Sequence, residues 1–234
     1  MKKSIIIALA LSAVGIGCKQ EAAEESPLDF ELDSIEKKVS YVVGYDTARR
    51  MEAEGFILDS QVIAAAVEDL NSGSPVKMTD EEMQAAMKAF QTQIQEKRQA
   101  QFNIEAEQNL QRGREFLIEN GKREGVITTE SGLQYEVMTA GTGASPSTTD
   151  QVSVNYKGNL ITGEVFDSGE GVVFRVDQLI PGWVEALPLM KTGAKWKLFV
   201  SADLAYGPGG TGNIGPNSTL VFEMDLLSIN DQEE

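Results

Sequence analysis

Along the first half of the chain, apolar positions recur three and four residues apart. Ile35, Val39, Val42 and Val43 share one face, with Tyr45 and Ala48 following, and this spacing predicts an amphipathic helix. A second helix is expected from an Asp59 cap. It carries Val62, Ile63, Ala66, Val67 and Leu70 and stops at Asn71-Ser72-Gly73. A third starts at Thr79, with Glu82 three residues on. That pair is a capping box, in which the hydroxyl takes an orphan amide and the carboxylate reaches back. Nothing stops this helix before Asn120-Gly121 except a tolerable Gly113, so it spans about 80–120, a rod of roughly 60 Å. Met83, Met87, Phe90 and Ile94 form an apolar seam on it, followed by an almost wholly polar run from Gln95 to Gln101. So polar a helix is a solvent-exposed spacer or lies between domains. The first two helices cover little area. The expectation is therefore that residues 35–125 are a helical dimerisation domain in which two copies exchange surface, the polar stretch projecting a second domain away. The alternative is a small monomeric helical domain with a frayed stalk.

The pattern changes after Gly125. Leu133–Met138 alternates between apolar and polar. Val152, Val154 and Tyr156 share one face of Gln151–Gly158. Trp196, Leu198 and Val200 alternate with their neighbours, as do Leu220, Phe222, Met224 and Leu226. Period two with turn residues between the runs predicts short antiparallel strands. Pro181 opens one short helix, since proline suits the first helical position. Residues 126–234 are thus expected to form an antiparallel half-barrel wrapped around one short helix, giving an α+β protein.

The remaining segment is the beginning. Lys2 and Lys3 precede an apolar run from Ile5 to Ile16, too short to span a membrane and typical of a secretory signal. Cys18 follows Gly17 directly, which resembles bacterial lipoprotein processing, with residues 1–17 removed and Cys18 lipidated. An incidental cysteine in a signal cut elsewhere is the alternative. Residues 18–34 are acidic and read as a solvated tether. Lys19 and Gln20 follow the cysteine, and with no acidic residue there the resemblance to sorted lipoproteins implies the outer membrane, facing the periplasm. Without the lipid the protein would be soluble in the periplasm or secreted.

Composition narrows the chemistry. The chain of 234 residues has a formal charge of −16, no histidine and one cysteine. The charge argues against nucleic-acid binding. The missing histidines exclude imidazole bases, His-based triads and His-ligated zinc, and one cysteine excludes intrachain disulfides and cysteine metal clusters. The work is left to carboxylates, hydroxyls, lysine, aromatics or apolar surface.

Five blocks then occur in order: VNYKG (154–158), GEVFDS (163–168), QLIPGW (178–183), AYG (205–207) and TLVF (219–222). They resemble the FKBP-type peptidyl-prolyl isomerases in order and spacing. The helical half, with KVSYVVG (38–44), resembles the dimerisation domain of their two-domain, Mip-like bacterial envelope branch. The resemblance implies a pocket walled by Tyr156, Phe166, Val172 or Val173, Leu179, Ile180, Ile214 and Phe222. Trp183 would lie beneath the substrate proline ring, Asp167 and Tyr206 would supply polar contacts, and the Ile180 amide would bind a substrate carbonyl. Taken singly, each of these side chains reads equally as ordinary core or turn. Taken as an ordered set, they read as the pocket.

The implied activity is peptidyl-prolyl cis-trans isomerisation that assists folding of secreted or envelope proteins, with chaperone-like holding of clients. No metal or cofactor is implied. The expected partners are unfolded or proline-containing polypeptides and a second copy of the chain, with the membrane engaged only through the lipid. Alternatives are a proline-binding chaperone module without catalysis and a mainly structural surface lipoprotein. Two departures from the family pattern bear on the pocket. Ser168–Gly171 reads as a shortened loop without the usual arginine, which leaves Asp167 less constrained. Val172-Val173 replaces an aromatic wall, which opens the pocket and weakens macrolide binding. Gly207–Asn213 is glycine-rich without the lysine of a phosphate loop, and is expected to be a mobile flap.

Overall fold

The three expected helices form where their caps place them in a computed structural model, which describes residues 31–230. The signal segment, the lipidation residue Cys18 and most of the acidic tether lie outside the described residues. The chain divides into two compact units, Met1–Val76 and Lys77–Glu234.

In the first unit, α1 (Ile35–Ala53) starts at Ser34, whose side chain accepts from the Lys37 amide. Helix α2 (Ser60–Ser72) starts at Asp59, whose carboxylate accepts from the amides of Gln61 and Val62 at 2.9 and 3.1 Å. It ends at Gly73 in the left-handed conformation, φ 69°, which glycine adopts without steric cost. No residue of either helix is buried among the described residues. Ile35 is 68% exposed, Val62 64% and Leu70 82%. The apolar faces that specify these helices are thus open to solvent in the single chain.

The second unit begins with α3 (Asp80–Asn120), which carries the complete Thr79/Glu82 capping box. Six strands follow: β1 (Val126–Thr128), β2 (Gln134–Ala140), β3 (Gln151–Leu160), β4 (Val165–Arg175), β5 (Ala194–Val200) and β6 (Leu220–Asn230). The short helix α4 (Pro181–Ala186) lies between β4 and β5. The sheet is antiparallel throughout, in the order β1-β2-β5-β6-β3-β4. Along β6, Leu220, Phe222, Met224 and Leu226 are buried while Val221, Glu223 and Asp225 are not, so one face carries the core and the other meets water. Against the core face pack Trp183 and Ala186 of α4, with Leu187 and Met190 after it. The expected α+β arrangement of helices, a long helix and a half-barrel around one short helix is the observed one.

One local expectation is corrected. Ser168–Gly171 is not a loop but the middle of β4. Tyr156 pairs with Gly169, Lys157 with Ser168 and Gly158 with Asp167. The register slips between Val154 and Tyr156, and the surplus residue is taken up at Gly171, φ 62°, whose amide donates to Asn155 Oδ1 at 2.8 Å. This is a β-bulge, which bends a strand without ending it. The C-terminal end of α3 docks on the sheet. Gln134 Nε2 donates to the Leu117 carbonyl at 2.8 Å, and Asn120 Nδ2 donates to Gln134 Oε1 at 2.9 Å. Phe116 meets the Phe199 ring at 6.0 Å. The tolerated Gly113 is buried, and a Cβ there would overlap Thr219 Oγ1.

Candidate active site

Pro181 at the first position of α4 sets the helix at the mouth of the sheet and turns Trp183 inward, where it is 3% exposed. Three rings meet the indole nearly edge-on: Phe222 of β6 at 5.1 Å, Tyr156 of β3 at 5.3 Å and Phe174 of β4 at 6.0 Å. Phe166 stands perpendicular to Phe222 at 5.6 Å. Such edge-to-face contacts suit the ring quadrupole and fix each ring's tilt. Leu179, Ile180 and buried Ile214 join the same apolar cluster. Three neighbouring strands and one helix therefore bring together residues more than sixty positions apart.

The edge of this aromatic cluster is polar. The Tyr156 hydroxyl donates to Asp167 Oδ2 at 2.8 Å, and the Ser168 amide donates to Asp167 Oδ1 at 2.8 Å. Both oxygens of Asp167 are thereby held without the absent arginine. Burial, reinforced by the hydrogen bond to Asp167 and its charge, pushes the Tyr156 hydroxyl up to about 12. Burial and the Asp167 charge also raise Tyr206, whose ring is 41% exposed. Both phenols stay protonated at neutral pH and can donate hydrogen bonds. The Ile180 carbonyl accepts from the amides of Trp183 and Val184 at 2.9 and 3.1 Å. The Ile180 N–H has no acceptor among the described residues.

The sequence-derived set is therefore assembled in one place: Tyr156, Phe166, Leu179, Ile180, Trp183, Ile214 and Phe222 in the cluster, with Asp167 and Tyr206 linked to it electrostatically. Val172 is half-buried and lies beside Tyr156 at Gly169, whereas Val173 is exposed, which decides between the two valines. Phe174 was missed. Its signal was the period-two step from Val172, which puts both side chains on one face of β4; Phe174 supplies an aromatic ring just after the paired valines. In the glycine-rich segment Thr211 and Ile214 exchange backbone hydrogen bonds at 2.9 and 2.8 Å, and Gly207 and Asn217 are bridged at 3.0 Å, so it is folded into hydrogen-bonded turns. Among the described residues no cluster of ligating side chains could hold a metal ion.

Comparison with known proteins bears on both halves. Residues 36–137 match the model of the domain amino-terminal to FKBP-type peptidyl-prolyl isomerases, and residues 143–227 match that of the FKBP-type peptidyl-prolyl cis-trans isomerases. The chain is 40% identical to the outer membrane protein MIP of Legionella longbeachae, covering 98% of each chain. It is 38% identical to the peptidyl-prolyl cis-trans isomerase Mip of Coxiella burnetii, covering 94% of this chain and 96% of that one. The crystal structure of FkpA from Escherichia coli matches with a TM-score of 0.72 at 36% identity, over 85% of this chain and 98% of that one.

Proposed function

The chain belongs to the FKBP-type peptidyl-prolyl cis-trans isomerases, and from that premise we propose that it turns over X-Pro bonds in the cup around Trp183 while assisting the folding of cell-envelope proteins. The observation that carries the site assignment is the ring of three aromatic edges around Trp183, next to an unbonded Ile180 N–H.

Rotation about a peptide bond is slow because conjugation gives it partial double-bond character, with a barrier of about 18–20 kcal/mol. X-Pro bonds are nearly balanced between cis and trans yet exchange over tens of seconds or more. At the twisted transition state conjugation is lost and the carbonyl is less polarised. A cup of Trp183, Phe222, Tyr156 and Phe174 excludes water from the proline ring and favours the less polar, twisted amide over the planar one. The Ile180 N–H and the Tyr206 hydroxyl donate to substrate carbonyls and hold the twist. Asp167, gripped at both oxygens, fixes the Tyr156 ring and keeps both phenols protonated. Neither a nucleophile nor an imidazole base is required. Interactions made only at the twisted state act as differential binding, and about 4 kcal/mol of them gives roughly a thousandfold.

The domain organisation we propose is a signal at 1–17, a tether at 18–34, a helical dimerisation domain at 35–125 and the isomerase domain at 126–234. The exposed apolar faces of α1 and α2 support a homodimer formed through these helices, because contiguous apolar surface of this kind marks an interface. Two linked copies would hold an unfolded client at two weak sites and gain from effective concentration. Lipidation of Cys18 would anchor the dimer to the outer membrane, facing the periplasm, in keeping with the relative named an outer membrane protein. No helix among the described residues is long and apolar enough to cross a membrane.

A protease-coupled assay on a proline tetrapeptide tests the proposal with the full chain. Catalysed exchange that Trp183→Leu lowers at least tenfold is the expected result, and wild-type exchange at the uncatalysed rate would refute it.

A further inference from the structure

The segment Tyr206–Thr219 contributes two residues to the proposed site, Tyr206 and Ile214, yet lies outside the six-stranded sheet. Its own backbone bonds close two small turns and join Asn217 to Gly207 across the segment. Its outer side is bound to α3. Asn109 Nδ2 donates to the Pro216 carbonyl at 2.8 Å, and Asn217 Nδ2 donates back to the Ala106 carbonyl at 3.2 Å. The Asn109 amide is itself oriented, since its Oδ1 accepts from Arg112 at 2.8 Å. Asn217 adopts φ 53°, the one left-handed non-glycine residue among those described, a conformation asparagine tolerates better than most residues. From there its backbone amide donates to the Gly207 carbonyl at 3.0 Å, directly beside Tyr206. One turn further along α3, Gly113 lies flush against Thr219, leaving no room for a side chain. Ala106, Asn109 and Gly113, three and four residues apart, thus form one helix face that grips the segment from behind.

We propose that α3 is a working part of the isomerase site, with Asn109 as a positioning residue. With Asn217 it clamps Tyr206–Thr219 so that Tyr206 and Ile214 face the substrate proline. The inference rests on the isomerase reading above and adds to it a requirement that lies outside the cup. A wall residue aimed before substrate arrives need not be ordered during the reaction, and this is where preorganisation assists catalysis.

The test uses the full chain with Asn109→Ala and Asn109→Asp, both of which remove the donor to Pro216. Gln111→Ala serves as control, because Gln111 is exposed and bonded only to Glu115. Both Asn109 variants should lose kcat/KM on a proline tetrapeptide by about fivefold, the factor one hydrogen bond of ordinary net strength commands, with Gln111→Ala unchanged. Backbone hydrogen exchange should quicken at Ile214 and Asn217 and stay as in wild type at Leu198 and Met224 of the central sheet. An unaltered rate in both Asn109 variants, or exchange quickened throughout the sheet, would overturn the clamp. An inactive wild-type chain would instead overturn the isomerase reading, and the exchange pattern would still decide whether Asn109 holds the segment.

Discussion

Replacing Trp183 by leucine separates the cup from the rest of the core. The indole is 3% exposed and meets three rings at 5.1, 5.3 and 6.0 Å. At ~0.5–1.5 kcal/mol for each edge-to-face pair, their loss costs about 2–4 kcal/mol. Leucine refills part of the volume, so the total stays near 3 kcal/mol, below the upper range for truncating a buried aromatic to alanine. A domain with ordinary stability of about 5–15 kcal/mol remains folded. The proline ring loses its platform, and at ~25 cal/mol per Å² over a ring face of about 60 Å² the rate falls at least tenfold. The matched control is Trp196→Leu. Trp196 is also buried and stacks on Tyr135 at 4.3 Å, and it forms no ring pair with the cup aromatics among the described residues. Urea unfolding should find both variants folded, with the smaller loss for Trp196→Leu, which breaks one ring pair rather than three, and the protease-coupled assay should report a rate defect only for Trp183→Leu. Equal rate losses in both folded variants would refute the reasoning, because a general weakening of the core would then account for the effect.

Asp167→Ala and Tyr206→Phe should each lower kcat/KM by roughly tenfold, about the worth of one charge-assisted or rim hydrogen bond, while far-UV circular dichroism stays unchanged; unaltered rates in both would remove these residues from the site. Tyr156 should titrate near 12 rather than at 10, read as the 295 nm difference between wild type and Tyr156→Phe. Because its folded pKa is raised, the stability it contributes is complete below pH 10 and is lost as pH rises through about 12; a value at or below 10 would contradict a shielded hydroxyl bonded to Asp167. The protein should scatter light as a dimer, and Val39→Glu with Val42→Glu, both on an exposed face of α1, should halve the mass without loss of helix; a wild-type monomer would contradict the interface.

Capping is local chemistry, which is why Asp59, Thr79 and Glu82 set the starts of α2 and α3 from the chain alone. Strands with one buried face are equally legible, because alternation in β6 is the burial pattern itself. Edge strands escaped for the converse reason. Three-residue β1 is too short to alternate, and β4 holds Ser168, Gly169, Glu170 and Gly171, turn residues that the bulge turns to strand use. The cup residues came through as ordered blocks, whereas Phe174 lay between two blocks and was hidden behind paired valines. The grip of α3 on Tyr206–Thr219 left no apolar period to read. It is made by two asparagine amides and a missing Cβ at Gly113, which hold by hydrogen bonds and close approach rather than by greasy area.

Exchange spectroscopy by NMR on a proline-containing peptide bears most directly on the cup as the seat of catalysis. Substoichiometric full-length protein should produce cis-trans exchange cross-peaks at the proline while the Trp183 indole resonance shifts on titration, and Trp183→Leu should lower the exchange rate at least tenfold. Undiminished exchange in that variant, or exchange with an unmoved indole signal, would contradict the account.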